Sequence, residues 1–188
     1  MKTAIVKIKG VSPYQQGRYH ATPKNDSETH DELERRSWQE RVHADEDGNV
    51  FIPPQGIKNC IANAAQRLSI SIPGKGQSKY TKHFNSGIMV LEPAFIGCKK
   101  SEAEKMAVFG AADGKTGGKK RVMKYFPTFR DWRAELQVLI LDEIINDEVF
   151  ERVIVEAGKF IGLGVFRPES GGYYGRFSVE NIQMTDTK

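Results

Sequence analysis

The segment from Trp132 to Gly162 changes from an alternating apolar pattern to a helical one within a few residues. Every second residue from Trp132 to Ile140 is apolar, which predicts a strand with one buried face. The apolar residues that follow recur at helical spacing: Val149, Val153, Ile154, Ala157, Phe160 and Ile161. Asn146 is suited to cap this helix at its start and Gly162 at its end. A strand that leads directly into a helix indicates a mixed α and β architecture.

The same two patterns recur along the chain and give the order strand, helix, strand, strand, helix, strand. Apolar alternation in residues 3–9 predicts the first strand, and Ile57, Cys60, Ile61, Ala64 and Leu68 predict the first helix. Further strands are predicted over 88–97 and 176–184. This order is that of the split βαβ unit. We therefore predict the α+β class and a ferredoxin-like (RRM-like) βαββαβ core, in one domain over 1–188 with insertions at about 12–50 and 98–128.

Length and composition limit the class of protein further. The chain has 188 residues, of which 39% are hydrophobic, and this predicts one well-buried core. No apolar run has the length of a signal peptide core or a membrane span. The two cysteines, Cys60 and Cys98, lack the spacing of a zinc site and indicate a reducing compartment. We therefore expect a soluble cytoplasmic protein with no metal and no cofactor.

The formal net charge of +4 conceals a strong separation of acidic and basic segments. Acids dominate 26–47 and 142–156, whereas 48–91 and 114–130 contain lysines and arginines and no acid at all. Such basic stretches are typical of proteins that bind a polyanion, and the alternative is an ordinary solvated surface.

Two of the basic segments interleave cations with aromatic rings, which is the mixture that single-stranded nucleic acid requires. The first supplies the candidate binding residues Lys75, Lys79, Tyr80, Lys82 and His83. The second supplies Lys115, Lys119, Lys120, Arg121, Lys124 and Tyr125. Arg18 and Lys58 are further candidate cations. The alternative for the aromatic residues is that they pack onto the core.

A glycine-rich loop, GLGVFRPESGGYYGRF, begins where the second helix is predicted to end. Its glycines are Gly162, Gly164, Gly171, Gly172 and Gly175, and they permit positive φ angles and close approach of a ligand backbone. Its candidate ligand-binding side chains are Arg167, Tyr173, Tyr174 and Arg176, while Phe166 and Phe177 are predicted to be core residues. The combination predicts a loop that cradles phosphate groups.

Motifs of known enzyme classes are weak or incomplete. The string GAADGKT is one residue short of a phosphate-binding loop and runs into more glycines instead of a helix. The four histidines are too scattered for a metal site. A metal-independent nuclease needs only a histidine acid or base, for which His83 is the best candidate and His20 the second. An ordinary surface or phosphate-contacting role for His83 is the alternative.

Taken together, the ferredoxin-like order, the insertion between its second and third strands and the C-terminal glycine-rich loop resemble the RAMP superfamily. The segment FIPPQGIKNCIANAAQRL, 51–68, is similar to that family's loop and first helix, in which a proline-containing turn introduces the helix. The resemblance implies an RNA-binding subunit of the CRISPR backbone or processing type, with a thumb-like hairpin where 98–128 lies. The smaller size and longer glycine loop suggest a free-standing phage or mobile-element member, which would act in the host cytoplasm.

The leading hypothesis is a non-catalytic protein that coats single-stranded DNA or RNA by side-by-side assembly as a homo-oligomer or filament. The two basic segments and the glycine-rich loop are expected to converge on one groove. The first alternative is a RAMP-like, metal-independent RNA endonuclease that uses His83 or His20. The second is a protein-interaction module or an inhibitor of a nucleic-acid-binding complex, acting through the acidic segments.

Overall fold

The chain folds around a four-stranded antiparallel sheet, and the computed structural model describes residues 1–111 and 121–186 of it. The strands are β1 (Lys2–Gly10), β2 (Tyr14–Gln15), β3 (Asn49–Ile52), β4 (Ile88–Met89), β5 (Ala94–Lys99), β6 (Glu104–Ala111), β7 (Arg121–Phe129), β8 (Arg133–Ile140) and β9 (Phe177–Asp186). The α-helices are α1 (His30–Ser37), α2 (Pro54–Leu68), α3 (Thr81–Ser86) and α4 (Asp147–Glu156). Short helical turns cover Trp38–Arg41, Lys100–Glu102, Ala157–Ile161 and Pro168–Ser170.

The main sheet has the strand order β4, β8, β1, β9. With α2 between β1 and β4, and α4 between β8 and β9, the chain order is the predicted βαββαβ of a ferredoxin-like domain. Val6 pairs with Leu136 on one side and Ile182 on the other. The predicted alternating residues of β1 and β8 are all buried, because their face of the sheet packs against the helices. The α+β, ferredoxin-like prediction is therefore confirmed.

The second helix of the core ends differently from the regular pattern in the sequence. The Asn146 side chain caps α4 by accepting a hydrogen bond from the Val149 N–H at 2.9 Å, as predicted. A π-helical turn follows, in which the Gly162 N–H donates to the Ala157 carbonyl at 2.9 Å. This wider turn rotates the last residues, so Phe160 is 42% exposed and its predicted place in the buried stripe is wrong.

The strand predicted over 88–97 is divided in two. Only β4 pairs with β8, through Ile88 and Met89, and the chain then turns before Ala94. From there β5 leaves the main sheet and pairs with β3. Pro93 lies at the break, where its missing N–H cannot contribute to a ladder.

The two insertions form most of the remaining structure. The first contains β2, α1 and β3, and the second is an antiparallel hairpin of β6 and β7, registered from Glu104 opposite Thr128 to Ala111 opposite Arg121. The thumb-like hairpin is thus present, and its tip at 112–120 lies outside the described residues. Among the helices of the described ranges, none is long and apolar enough to cross a membrane.

Candidate nucleic-acid interface

A cleft of about 210 Å³ lies between the glycine-rich loop and the first turns of α2. Its walls are Tyr14, Gln16, Gly17, His43, Ile52, Pro53, Gly56, Asn59, Cys60, Gly162, Leu163, Gly164, Val165 and Arg167. The cleft therefore joins four separate parts of the sequence: the strand β2 region, the segment that contains His43, the start of α2 and the glycine-rich loop. Burial raises the pKa of the Cys60 thiol to about 12, so this group stays a protonated thiol and is a poor nucleophile.

The glycine-rich loop is held together by its own backbone and by β2. The Leu163 N–H donates to the Gly175 carbonyl at 3.0 Å, and the Val165 N–H donates to the Gln15 carbonyl at 3.0 Å. Gly175 has a φ of 75°, and a Cβ there would collide with the Leu163 carbonyl. The close approach that Gly175 permits is thus to the chain's own backbone, and the prediction that it makes room for a ligand backbone is wrong for this position.

Of the other glycines of this loop, Gly164 and Gly172 permit close packing within the protein, whereas Gly171 faces open space. A Cβ at Gly164 would meet Tyr14 and the Gln15 carbonyl, and one at Gly172 would meet Phe166. Gly171 differs, because its φ is 77° and its Cβ position faces open space. Only this glycine of the loop's outer part leaves room for another molecule.

The two loop arginines are already engaged within the protein. The Arg167 guanidinium pairs with the Glu169 carboxylate at 2.7 Å and donates to the Gly164 carbonyl at 3.2 Å. Glu169 also accepts a hydrogen bond from the Asn63 side chain. Arg176 donates to the carbonyls of Lys159 and Tyr173. Arg167 therefore lines the cleft as half of an ion pair, whereas Arg176 fastens the loop to the π-helical turn.

A second wall of the cleft is organised by the buried side chain of Gln16. Its amide nitrogen donates to the Phe51 carbonyl at 2.8 Å, and its oxygen accepts from the His43 N–H at 2.6 Å. Burial lowers the pKa of His43, and the positive charge of Arg18 lowers it further. Arg18 itself is exposed and forms no ion pair with any residue in 1–111 or 121–186. Its cation is available at the edge of the cleft.

The start of α2 provides a partial positive charge at the same place. Pro53 occupies the N-cap position and Pro54 the first turn, so no side chain caps the helix. Its first turn contains no acid. The macrodipole of this 15-residue helix is therefore not offset at its N-terminus, where Pro53, Gly56 and Asn59 line the cleft. The proline-containing turn expected from the resemblance is present.

Several aromatic rings near the cleft are open to solvent. Tyr19, next to Arg18, is 86% exposed, and Tyr173 in the glycine-rich loop is 61% exposed. Tyr174 is half-buried and packs edge-on against Tyr173. Phe166, predicted to be a core residue, is 39% exposed with a strained φ of 51°. Tyr19 was missed at the level of sequence, although its position between a cation and a histidine in GRYH was the available signal.

Two of the predicted stacking residues, Tyr80 and Tyr125, are buried, so their rings are not accessible to bases. Tyr80 is buried in the core, 3% exposed, so its predicted contact with bases is wrong. Tyr125 is buried as well, because α1 covers it: the Tyr125 hydroxyl lies 3.5 Å from Asp31, and the Arg35 guanidinium lies over the ring. The acidic insertion therefore packs on the hairpin and occupies that predicted site.

The predicted convergence of the three basic segments fails for one of them. The loop that contains Lys75 and Lys79 follows the C-terminus of α2, where the Lys79 ammonium bonds the Ser69 hydroxyl at 2.7 Å. The cleft lies at the N-terminus of the same helix, about 20 Å away for 15 residues. Lys82 and His83, in α3, belong to this far end too. These four residues therefore lie too far from the cleft to contact a ligand bound there.

The two candidate catalytic histidines lie in different surroundings. His83 Nδ1 lies 2.6 Å from the Asp142 carboxylate, which also accepts a hydrogen bond from the Ile144 N–H. His20 contacts the Thr22 hydroxyl at 2.9 Å, and burial lowers its pKa. Within the described part of the chain, no three of the histidine, cysteine and acidic side chains are grouped as metal ligands.

The remaining predicted cations divide between the hairpin and α2. The base of the hairpin adjoins the cleft region, because Thr128 of β7 pairs with Gln15 of β2. Arg121 and Lys124 lie farther up β7. Lys115, Lys119 and Lys120 lie outside the described residues. Lys58, on α2, is half-buried and does not line the cleft.

Comparison with known proteins gives matches at the level of structure only. No protein-family model and no curated protein matches the sequence. A chain of the type III-B Cmr-β complex bound to cognate target RNA is similar with a TM-score of 0.52 and 12% identity, over 97% of this chain and 60% of that one. Cmr6 from Pyrococcus furiosus gives a TM-score of 0.49 and 13% identity, over 95% and 99% of the two chains. A chain of a CRISPR RNA-guided surveillance complex gives 0.42 and 9%, over 98% and 68%.

This chain thus spans 60% of the length of the Cmr-β chain that it matches. At 12% identity that likeness bears on architecture alone. It agrees with the ferredoxin-like α+β fold that the sequence predicted and that the strand order of the main sheet shows.

Proposed function

We propose that this protein binds single-stranded nucleic acid, RNA or DNA, without cleaving it, along a path through the cleft at the start of α2. The observation that carries the proposal is the uncapped N-terminus of α2 opposite the glycine-rich loop, next to Arg18, which follows Gly17 of the cleft wall and forms no ion pair within 1–111 and 121–186. Pro54 has no N–H and the Gly56 N–H donates to the Pro53 carbonyl at 2.9 Å, so the partial positive charge of the helix terminus and a nearby guanidinium are what suit this place to a phosphate group.

Exposed rings beside the cleft supply the second requirement of single-strand binding. Tyr19 follows Arg18 directly, and Tyr173 projects from the opposite loop. Bases that stack on such rings are bound with little dependence on sequence. The proposal therefore assigns phosphates to the cleft and bases to its rim.

Arg167 can bind a phosphate only in competition with Glu169, with which it forms an ion pair. The two groups lie 2.7 Å apart and both are partly exposed, so a phosphate that approaches the cleft competes with Glu169 for the guanidinium. An exposed pair of this kind contributes only about 1 kcal/mol or less, which is small beside the interaction of arginine with phosphate.

RNA is the first polymer to test, since the matched Cmr-β chain comes from a complex bound to target RNA. Assembly of several copies side by side along one strand is part of the proposal. It predicts that the number of bound copies grows with oligonucleotide length, which sedimentation velocity measures directly.

An endonuclease is the second candidate, because His83 and Asp142 form a close imidazole and carboxylate pair. This pair lies at the far end of α2, away from the proposed path. Incubation of labelled RNA with the protein in EDTA, followed by a denaturing gel, separates the two candidates: intact RNA supports binding without cleavage, and discrete products favour the nuclease.

The test of binding is fluorescence polarisation with labelled 20-nucleotide RNA and DNA over a series of salt concentrations. The expected result is binding that weakens as salt rises, because phosphate contacts release counterions. We expect Arg18→Gln to weaken binding about tenfold, equivalent to about 1.4 kcal/mol, and to reduce the salt slope by about 0.7.

Lys82→Gln is the matched control. It removes one exposed cation from α3 at the far end, so the net charge changes equally while the proposed path is untouched. Equal losses of oligonucleotide affinity in Arg18→Gln and Lys82→Gln would mean that only the total charge matters. The cleft would then have no special role in binding. Absence of binding by the unaltered protein at low salt would refute the proposal as a whole.

A further inference from the structure

Three extended segments lie side by side next to the cleft and form a small accessory sheet. β3 pairs with β5, with Phe51 opposite Phe95. On the other side of β3, the Phe51 N–H donates to the His43 carbonyl at 3.0 Å, and Ala44 forms an antiparallel bridge with Val50. His43, Phe51 and Phe95 therefore occupy neighbouring positions across the three segments.

These three side chains form a row of rings on one face, which we call the ring ladder (His43, Phe51 and Phe95). Ring centroids are 5.8 Å apart between His43 and Phe51, and 6.0 Å apart between Phe51 and Phe95. The residues that alternate with them point the other way and are buried: Val50, Ile52, Ala94 and Ile96. The core of the protein is thus complete without the ladder, yet Phe95 remains 48% exposed.

The ladder begins at the wall of the cleft. His43, its first ring, lines the cleft together with Gln16, whose amide bonds both the His43 N–H and the Phe51 carbonyl. Any polymer that leaves the cleft past His43 meets Phe51 and then Phe95. The other end opens into a groove of about 320 Å³ lined by Asn49, Val50, Phe95, Gly97, Cys98 and Lys99.

Charges around the groove indicate which part of a nucleotide fits there. Lys99 donates to the Asp47 carbonyl at 3.2 Å; the pKa of the Asp45 carboxyl is lowered chiefly by the hydrogen bond from the Asn49 side chain and to a smaller extent by the charge of Lys99. The charge of Lys99, which lines the groove, is thus partly balanced by the Asp45 carboxylate. Gly97 leaves the space next to Phe95 open, since nothing lies within 4 Å of a Cβ built there. A flat, uncharged base fits this surface better than a phosphate does.

We propose that the ring ladder is a base-stacking platform for the bases of a single strand that leaves the cleft. This inference rests on the function proposed above and extends it to the rings of Phe51 and Phe95. Phosphates of the same strand are bound at the cleft, so the ladder contributes affinity that depends little on salt. Sheets that present two or three aromatic rings to bases are a common device for binding single strands.

The test compares Phe95→Ala with the unaltered protein in binding to labelled oligo(U) and oligo(dT) of 4 to 20 nucleotides. Loss of one stacked base predicts about 5-fold to 150-fold weaker binding of the longer oligonucleotides. The slope of affinity against salt is expected to stay the same, in contrast to Arg18→Gln. The shortest oligonucleotides, which the cleft alone holds, are expected to bind equally well to both proteins.

Two further variants make the result specific. Phe160→Ala removes another exposed phenylalanine, on the π-helical turn, and is expected to leave binding unchanged. Phe95→Trp keeps a flat ring and is expected to restore binding. A 2-aminopurine base placed in the oligonucleotide is expected to lose fluorescence on binding to proteins with a ring at position 95 and to lose less on binding to Phe95→Ala.

The outcomes separate this inference from the proposed function. If Phe95→Ala binds like the unaltered protein while Arg18→Gln is impaired, the ladder is refuted and the cleft stands. If Phe95→Ala instead changes only the oligomeric state in sedimentation, with equal affinity per copy, the face is a protein interface and the inference is wrong. If the unaltered protein binds no oligonucleotide, the proposed function itself has failed.

Discussion

At the start of α2 the side chains of Arg18 and Tyr19 extend into solvent, whereas at the end of the same helix Tyr80 is buried and Lys79 bonds Ser69. Both regions are rich in cations and rings in the sequence. The two regions differ in the backbone hydrogen bonds that hold each segment in place. At the far end the Ile72 N–H donates to Ser78 at 2.8 Å and the Tyr80 N–H donates to Ile70 at 3.0 Å, and this small loop draws Tyr80 into the core.

This comparison shows that a mixture of lysine and tyrosine in a sequence is compatible both with an exposed surface that can bind a ligand and with a loop that packs into the core. A ring is available to a ligand only where the core does not need it. We therefore interpret the far end of α2 as structural, and the cleft end is the proposed binding surface.

The largest expected effect comes from exchanging the two tyrosines for alanine. Tyr80→Ala is expected to lower the free energy of unfolding by about 3–5 kcal/mol, because it leaves a large cavity in the core. Tyr19→Ala is expected to change stability by about 0.5 kcal/mol or less and to weaken oligonucleotide binding by about 1–3 kcal/mol. Urea unfolding and fluorescence polarisation measure the two quantities. A Tyr80→Ala protein that is stable but fails to bind would overturn the division between the two ends.

A smaller effect is expected within the glycine-rich loop, where Gly175 and Gly171 have almost the same φ. Gly171→Ala has open space, so only backbone strain of about 1 kcal/mol is expected. Gly175→Ala adds the collision with the Leu163 carbonyl, for a total of about 2–4 kcal/mol, and displaces one wall of the cleft. Urea denaturation compares the two variants. Equal losses of stability would show that the loop shifts easily and that its packing does not shape the cleft.

Local patterns in the sequence were sufficient for the elements that bury one face. The alternation in β8 predicted every inward residue from Trp132 to Ile140, and Asn146 was correctly identified as a cap. Phe160 was misplaced because a π-helical turn changes the period for a single turn, and no local residue preference signals that change. The predicted buried face of this turn is therefore shifted by about one residue from the observed one.

The site was less predictable, because it depends on contacts between distant segments. Tyr125 is covered by α1, which lies almost a hundred residues earlier in the chain. The ring ladder requires the register of β3 and β5, which a local pattern does not contain. The sequence supplied candidate residues and a candidate loop, and the structure shows which of them lie near one another.

The smallest expected effect concerns the far end, where a purely structural role predicts a pH-dependent stability and no change in binding. The hydrogen bond from His83 lowers the pKa of Asp142, and the bond from the Ile144 N–H lowers it further. The folded-state pKa of this carboxyl is therefore below its value in the unfolded chain, about 3.9. Asp142 stabilises the fold fully above that pH, and the stabilisation is lost as the pH falls through the folded-state pKa.

Asp142→Asn removes this contribution. The difference in unfolding free energy between the two proteins is expected to be largest at pH 5 to 7 and to shrink towards pH 2, as measured by urea denaturation across that range. Asp26→Asn, at an exposed position with no ion pair to a described residue, is expected to change stability little at any of these pH values. Oligonucleotide affinity at pH 7 is expected to be the same for both variants. Impaired binding by Asp142→Asn, with unfolding unchanged, would make the pair with His83 a functional site and remove the contrast between the two ends of α2.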